Sequence, residues 1–150
     1  MMVEMLFRST DYNKTLFQSL LEAKSIHKGP TKILEDITRV AINYNQLITR
    51  CFILGPYICR YIKYQETVGL LLPNMTSAVV SFFALQAYGR IPALLNYTAG
   101  FAQIESACKI AQVHCILTSR KFIEIANLFE LINRLNEKSI QIKSSCCWFI

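Results

Sequence analysis

Apolar residues are densest in the middle of the chain, where three apolar runs follow one another. Residues 68–72 and 91–95 are runs of five followed by proline or asparagine, a length and an ending typical of short buried strands. Residues 76–88 are too many for one strand, and Gly89 follows them where a helix often ends. Two apolar strands joined by an apolar helix predict a βαβ unit, in a sheet that is covered on both faces.

Upstream of this unit, the pattern predicts a helix, a hairpin and a second helix. Apolar residues at helical spacing begin after Thr15, which is followed three residues later by the glutamine of a capping box. Residues 32–35 and 40–44 are short strand candidates around a polar turn, so we expect a β-hairpin. Residues 44–64 are apolar on most sides of a helix. Pro56 in their middle predicts either a kink or two helices, because proline lacks an amide donor and clashes one turn back.

Downstream, the alternation of helix and strand continues. Residues 101–111 carry apolar side chains on one helix face, and residues 114–117 are a short strand candidate. Ser119 can cap a last helix, whose apolar stripe is Phe122, Ile125, Phe129, Ile132 and Leu135. The three apolar strands should lie parallel, because the helix between each successive pair is long enough for a right-handed crossover. The sequence therefore predicts an α/β fold, with a mostly parallel sheet and helices on both faces.

The composition is typical of a single domain that is strongly hydrophobic and mildly basic. Of the 150 residues, 53% are hydrophobic and 17% are charged, which excludes disorder. The net charge of +6 is spread along the chain without a cluster of five or more Lys and Arg. An ordinary basic surface is the first interpretation and an anionic partner the second, and we expect no nucleic-acid partner.

The sequence predicts neither a signal peptide nor a membrane-spanning helix. Its first residues include Glu4 and lack the apolar core of a signal peptide, and Arg90 and Pro92 interrupt its longest apolar stretch. We therefore predict a cytoplasmic protein, with peripheral contact to a membrane as an alternative. The six cysteines include no C-x-x-C pair and should be free thiols. Four of them fall on apolar faces and are interpreted as core residues: Cys51, Cys59, Cys108 and Cys115.

The sequence predicts no catalytic, cofactor-binding or metal-binding residue. Phosphate loops need closely spaced glycines, and the closest two of the five glycines here, Gly89 and Gly100, are eleven residues apart. The histidines, His27 and His114, are interpreted as structural residues at a helix end and a strand edge. Glu35 and Asp36 are adjacent, so a strand would place them on opposite faces and prevent them from acting as an acid–base pair. Two further carboxylates, Glu105 and Glu124, should be solvated on helix faces.

Three segments carry a resemblance to a known family: "VGLLLPN", "FFALQAYGRIPALLNYTAG" and "TSRKFIE". They resemble the early part of the AMP-forming adenylate-forming superfamily of acyl ligases, over about residues 15–124. Within it, "GRIPALLNYTAG" is most similar to the acyl–acyl carrier protein synthetase branch, whose bifunctional members also carry a 2-acylglycerophosphoethanolamine acyltransferase half. Tyr44 and Leu47 match a Tyr-x-x-Leu found at this place in the superfamily.

The resemblance implies an ATP-dependent and Mg²⁺-dependent ligase that joins a fatty acid to AMP and passes the acyl group to acyl carrier protein. This chain lacks the family's Ser/Thr/Gly-rich loop with its lysine, so we expect ATP and Mg²⁺ to bind outside it. The acyltransferase motif His-x-x-x-x-Asp is also missing, because Lys32 follows His27 at that spacing and Ser119 follows His114.

The division predicted from these observations is a partial AMP-binding N-terminal domain over residues 1–143 and a divergent tail over 144–150. The interpretation is an N-terminal fragment of such a ligase, from a shortened or decaying gene, that is inactive alone and whose partner would be the remainder of the synthetase. The alternatives are a non-catalytic α/β binding module, one subunit of a split synthetase, and a peripheral membrane protein.

Overall fold

The computed structural model describes residues 14–37, 39–138 and 140–145. Within these ranges the chain forms six helices and six strands. In chain order they are α1 (Leu16–His27), β1 (Lys32–Leu34), β2 (Ile42–Asn43), α2 (Tyr44–Cys59), β3 (Thr67–Leu70), α3 (Thr76–Ala87), β4 (Ile91–Leu94), α4 (Phe101–Ile110), β5 (Cys115–Ser119), α5 (Arg120–Ile125), α6 (Phe129–Glu137) and β6 (Gln141–Ser145).

Four of the strands form one parallel sheet in the order β4-β3-β5-β6. Gly69 of β3 faces Ala93 of β4 on one side and Ile116 of β5 on the other. The three strands predicted from their apolar runs are therefore parallel members of one sheet. The prediction of an α/β fold with a mostly parallel sheet is confirmed.

The strand β6 was not predicted from the sequence. It pairs with β5 in parallel, from Cys115 opposite Gln141 to Ser119 opposite Ser145. The predicted boundary after residue 143 falls inside this strand. Residues 146–150 lie outside the described residues, and the division into a domain and a tail stays a prediction.

Each face of the sheet packs against its own hydrophobic core. Side chains alternate between the faces, so Cys115 lies in one core and Ile116 in the other. The first core also contains residues of the first three helices: Phe17, Leu20, Leu47, Ile48, Cys51, Ile58, Val80, Ala84 and Leu85. The second contains Ile104 and Cys108 of α4 and Leu135 of α6. Helices thus cover both faces, as predicted.

The first helix and the hairpin are also as predicted. The Thr15 hydroxyl accepts a hydrogen bond from the Gln18 amide at 3.2 Å, and the Gln18 side chain accepts one from the Thr15 amide at 2.9 Å. The strands β1 and β2 pair antiparallel, over fewer residues than predicted. Asn43 and Gln46 form a second capping box, which fixes the start of α2 directly after β2.

The helix α2 runs unbroken through Pro56, so the alternative of two helices was wrong. Proline removes the amide that would bond the carbonyl of Phe52, one turn earlier. The Tyr88 hydroxyl, from the end of α3, lies 3.5 Å from that carbonyl oxygen and donates to it. Tyr88 can approach because Gly55 has no side chain: a Cβ there would lie 1.8 Å from the tyrosine ring.

The prediction of one last helix with a continuous stripe was wrong. A turn separates α5 from α6, and Asn127 within it has φ of 50°. Asparagine tolerates this left-handed conformation better than most residues, which allows the chain to change direction here. Ile125 and Phe129, on either side of the turn, are 74% and 53% exposed, whereas Leu135 is buried.

Candidate functional site

The carboxyl ends of the parallel strands lie at one edge of the sheet, where open α/β sheets bind their ligands. The chain leaves β3 for α3, which packs in the first core, and leaves β4 for α4, which packs in the second. After these two neighbouring strands, the chain therefore continues on opposite faces of the sheet. A crevice between such strand ends is the expected place for a ligand in this topology.

An open groove of about 800 Å³ lies at this edge beside α3. It is lined by the turn after β1, the start and one face of α3, and the last residue of β4: Leu34, Glu35, Asp36, Ile37, Asn74, Met75, Ala78, Val79, Phe82, Phe83 and Leu94. Its volume is in the range of small-molecule sites. Because three of its side chains are polar and the others are apolar, the groove suits an apolar group better than a phosphate.

Asp36 joins the hairpin to the start of α3. Met75 occupies the N-cap position of α3 and gives no side-chain cap. An Asp36 carboxylate oxygen accepts a hydrogen bond from the Thr76 amide at 3.1 Å instead. A carboxylate is favourable at a helix N-terminus, because the free amides and the helix dipole are positive there. The hairpin therefore supplies the cap that the sequence around residue 75 lacks.

Glu35 and Asp36 do not lie on opposite faces of a strand, as the sequence predicted, because β1 ends at Leu34. Both residues line the groove. Since Asp36 accepts a hydrogen bond from a helix amide, its visible role is to cap α3. We found no signal in the sequence for this contact, which joins residues 40 positions apart.

The two histidines lie apart from the groove. His27 ends α1, and its ring stacks on that of Tyr44, with 6.4 Å between the ring centres. His114 precedes β5 at the amino edge of the sheet, and its carbonyl accepts a hydrogen bond from the Gln141 amide. Both lie at the places predicted for them, one at the end of a helix and the other next to a strand.

The carboxylates of the helices do not gather at the groove either. Glu105 of α4 forms ion pairs with Lys109 at 2.8 Å and with Lys138 at 3.9 Å. The hydrogen bond from Lys109 lowers the pKa of Glu105, and the nearby positive charges add to this. Glu124 is exposed on α5.

Three of the cysteines are buried thiols. Burial raises the pKa of Cys51 to about 12 and that of Cys115 to about 11, and it also raises the pKa of Cys108. A thiol must ionise to attack a substrate or bind a metal, so these residues serve as core packing, as predicted. Cys59 is half-buried. In the described part of the chain, no three His, Cys, Asp or Glu side chains group closely enough to hold a metal ion.

The glycines occupy packing and turn positions. Gly69 lies in the central strand, where a Cβ would be 2.8 Å from Leu95 and 2.9 Å from Ile116. Gly89 has φ of +70° and ends the turn after α3, as its place in the sequence predicted. The nearest two glycines, Gly89 and Gly100, are eleven positions apart, which is too far for the closely spaced glycines of a phosphate-binding loop.

No family model matches the sequence. The structure is similar to solved N-terminal subdomains of adenylate-forming enzymes. The N-terminal subdomain of Klebsiella oxytoca NpsA, solved with 3-hydroxybenzoyl-AMSN, superimposes with a TM-score of 0.68 at 12% identity, over 88% of this chain and 30% of its own. ATP-bound MatB from Rhodopseudomonas palustris gives 0.70 at 14% identity, over 87% of this chain and 25% of MatB.

The anthranilate CoA ligase AuaEII, solved with anthranoyl-AMP, gives a TM-score of 0.68 at 20% identity, over 84% of this chain and 24% of its own. The chain thus spans between 24% and 30% of the length of these three structures. It has the fold of part of the N-terminal subdomain of adenylate-forming enzymes. At these identities the likeness establishes the fold alone.

Among the described residues, the helices are too short or too polar to cross a membrane.

Proposed function

We propose that this chain is the first part of an AMP-forming fatty acid ligase of the acyl–acyl carrier protein synthetase type. The observation that carries the proposal is the parallel sheet β4-β3-β5-β6 with α3 and α4 on opposite faces, on the segments that resemble this branch in sequence. The whole ligase would join a fatty acid to AMP from ATP and then pass the acyl group to the thiol of acyl carrier protein.

In this proposal the chain contributes scaffold and leaves nucleotide binding to residues outside it. Holding ATP for adenylation requires backbone amides and a positive charge at its phosphates. The groove beside α3 has an apolar surface and the Glu35 and Asp36 carboxylates, whose negative charge would repel phosphates. ATP and Mg²⁺ would therefore bind to the remainder of the synthetase, and this chain alone would catalyse no adenylation.

One observation favours a second candidate, a subunit that completes its site with a separate chain. Large apolar side chains remain exposed at the β4 edge and on the helices that follow: Ile91, Leu94, Ile110, Ile125 and Phe129. Exposed apolar side chains mark an interface where they adjoin one another, and in this candidate they would form one with the partner. The partner would be the remainder of a split synthetase.

The exchange of labelled pyrophosphate into ATP, with fatty acid and Mg²⁺ present, tests both candidates. The purified chain should give no exchange above a heat-inactivated control. Exchange by the chain alone would contradict the proposal, because it would place the nucleotide site within these residues.

Adding the remaining part of an acyl–acyl carrier protein synthetase as a separate chain distinguishes the candidates. Exchange that needs both chains supports the split enzyme. In that case the exchange rate should saturate when the two chains are present in equal amounts. Continued absence of exchange supports a scaffold that has no activity of its own. A matched control is the remaining part mixed with a Gly69→Leu variant, whose side chain would clash with Leu95 and Ile116 across the sheet.

A further inference from the structure

The part of α2 that faces away from the first core, together with the turn after the helix, has an unusual composition. Arg50, Ile53 and Tyr57 follow one another at helical spacing on α2, beside the face that buries Leu47 and Cys51, and Arg60 and Tyr61 follow in the turn directly after the helix. We call these five residues the α2 stripe. Ile53 is 44% exposed, Tyr57 is 41% exposed and Tyr61 is 49% exposed. A solvated helix face usually carries charged residues of both signs, and this stripe carries apolar, aromatic and basic residues without an acid.

The rings of the stripe are held together and in contact with a third basic group. The Tyr57 and Tyr61 rings meet edge to face, with 5.3 Å between their centres. The Lys143 ammonium of β6 lies 4.9 Å from the centre of the Tyr61 ring. This arrangement keeps the aromatic surface ordered and places positive charge directly beside it.

The stretch of sequence that contains α2 and the turn after it carries charge of one sign. No Asp or Glu occurs from residue 37 to residue 65, a stretch that also holds Lys63. The nearest acid in sequence, Glu66, is held by a hydrogen bond from the Lys63 amide at 2.8 Å. Residues 14–64 contain eight Lys and Arg against three Asp and Glu, whereas residues 65–145 contain seven against five. The positive excess of the chain is therefore concentrated in the part that forms α1 and α2.

The exposed apolar residues at the ends of α4 and α5 do not share this surrounding. Ile110 and Ile125 are more exposed than the residues of the stripe, at 82% and 74%. The segments around them carry acids of their own, including Glu105, Glu124 and Glu130. These segments carry basic residues as well, and Glu105 is paired with Lys109 and Lys138, so the exposed apolar residues there lie among charges of both signs, unlike the stripe.

We propose that the α2 stripe is a docking surface for an anionic lipid bilayer. Tyrosine suits the boundary between water and acyl chains, because its ring is apolar and its hydroxyl is polar. Arg50, Arg60, Lys63 and Lys143 would meet lipid phosphates around the rings. The sign of the charge selects an anionic bilayer over a neutral one, and the helix would lie along the surface without crossing it. This inference is independent of the proposed ligase function.

Co-sedimentation of the full chain with vesicles tests the inference. Vesicles made of equal parts phosphatidylglycerol and phosphatidylcholine should bind the protein, and vesicles of pure phosphatidylcholine should bind it far less. Raising the salt concentration should weaken the binding, because the charges lie at the surface. The double variant Arg60→Gln/Lys63→Gln should reduce partitioning by about tenfold or more. The double variant Tyr57→Ser/Tyr61→Ser should also reduce it.

Two control variants remove comparable groups, positive charges or exposed apolar side chains, from positions outside the α2 stripe. Lys109→Gln/Lys121→Gln removes two positive charges, and Ile110→Ser/Ile125→Ser removes two exposed apolar side chains. Both should bind vesicles as the unaltered chain does, and circular dichroism should show that all four variants are folded.

Three results would overturn the inference. The first is equal binding by the stripe variants and the unaltered chain. The second is the same binding to neutral and anionic vesicles, or none to either. The third is a change in sedimentation coefficient of the stripe variants without lipid, which would show that the stripe joins two copies of the chain.

Discussion

At the scale of single residues, the contact between α2 and α3 depends on Gly55. This glycine lets the Tyr88 ring lie against the helix, where its hydroxyl reaches the carbonyl that Pro56 leaves without an amide. Tyr88 also packs edge to face on Phe52, with 6.5 Å between the ring centres. Tyr88 of the next helix thus packs against Gly55 and donates a hydrogen bond to the carbonyl that Pro56 leaves without an amide partner.

Replacing Gly55 with alanine should destabilise the protein, although alanine is the better helix former. The new Cβ would meet the Tyr88 ring at 1.8 Å, and such overpacking typically costs ~1–3 kcal/mol. The free energy of unfolding measured with urea gives the size of the effect.

The same substitution made in a Tyr88→Ala background provides the control. Without the ring, Gly55→Ala should be neutral or stabilising by up to ~1 kcal/mol, through helix propensity alone. If Gly55→Ala were equally destabilising in both backgrounds, the clash with Tyr88 would not be the cause.

At the scale of elements, the start of α3 depends on a side chain from the hairpin. The sequence before α3 ends in Pro73, Asn74 and Met75, and Met75 gives the helix no side-chain cap. The hairpin β1–β2 is short, with three residues in one strand and two in the other. Its contact with Thr76 through Asp36 therefore links an element of limited stability to a helix that lies in the core.

Replacing Asp36 with alanine should lower the free energy of unfolding by ~1 kcal/mol, the usual effect of losing an N-cap. Glu35→Ala is the matched control, since it removes a neighbouring carboxylate from the same groove, and surface changes of this kind stay within ~0.5 kcal/mol. Equal effects of the two variants would show that the negative charge of the groove matters, and not the cap on α3.

At the scale of the whole molecule, both cores contain buried thiols. Cys51 and Cys115 lie in the first core and Cys108 in the second, and burial raises the pKa of all three. In the unfolded chain these thiols ionise near the ordinary value of 9.0. In the folded chain Cys51 keeps its proton until about pH 12 and Cys115 until about pH 11.

Stability should therefore fall as the pH rises above about 9. Below that value the thiols are protonated in both states and contribute nothing to the pH dependence. Between about 9 and 11, ionisation stabilises the unfolded chain alone. Urea unfolding at a series of pH values measures the slope. A Cys51→Val variant should show a shallower slope in this range, and an unchanged slope would mean that other groups cause the loss.

The sequence determined the middle of the fold because the information there is local. Residues 68–100 place two strands, a helix and a glycine turn in order, and any chain with that pattern gains most by burying it as a parallel unit. The absence of a glycine-rich loop was equally visible, since such a loop needs its residues next to one another.

Tertiary structure decided the features that depend on distant residues or on a turn. The cap on α3 comes from 40 residues away, and α2 continues through Pro56 with Tyr88 of the next helix against it. The last helix divides at Asn127, and β6 forms because β5 offers a free edge to a segment of unremarkable pattern. Tertiary structure likewise brings Lys143 of β6 to the Tyr61 ring, a contact between residues 82 positions apart.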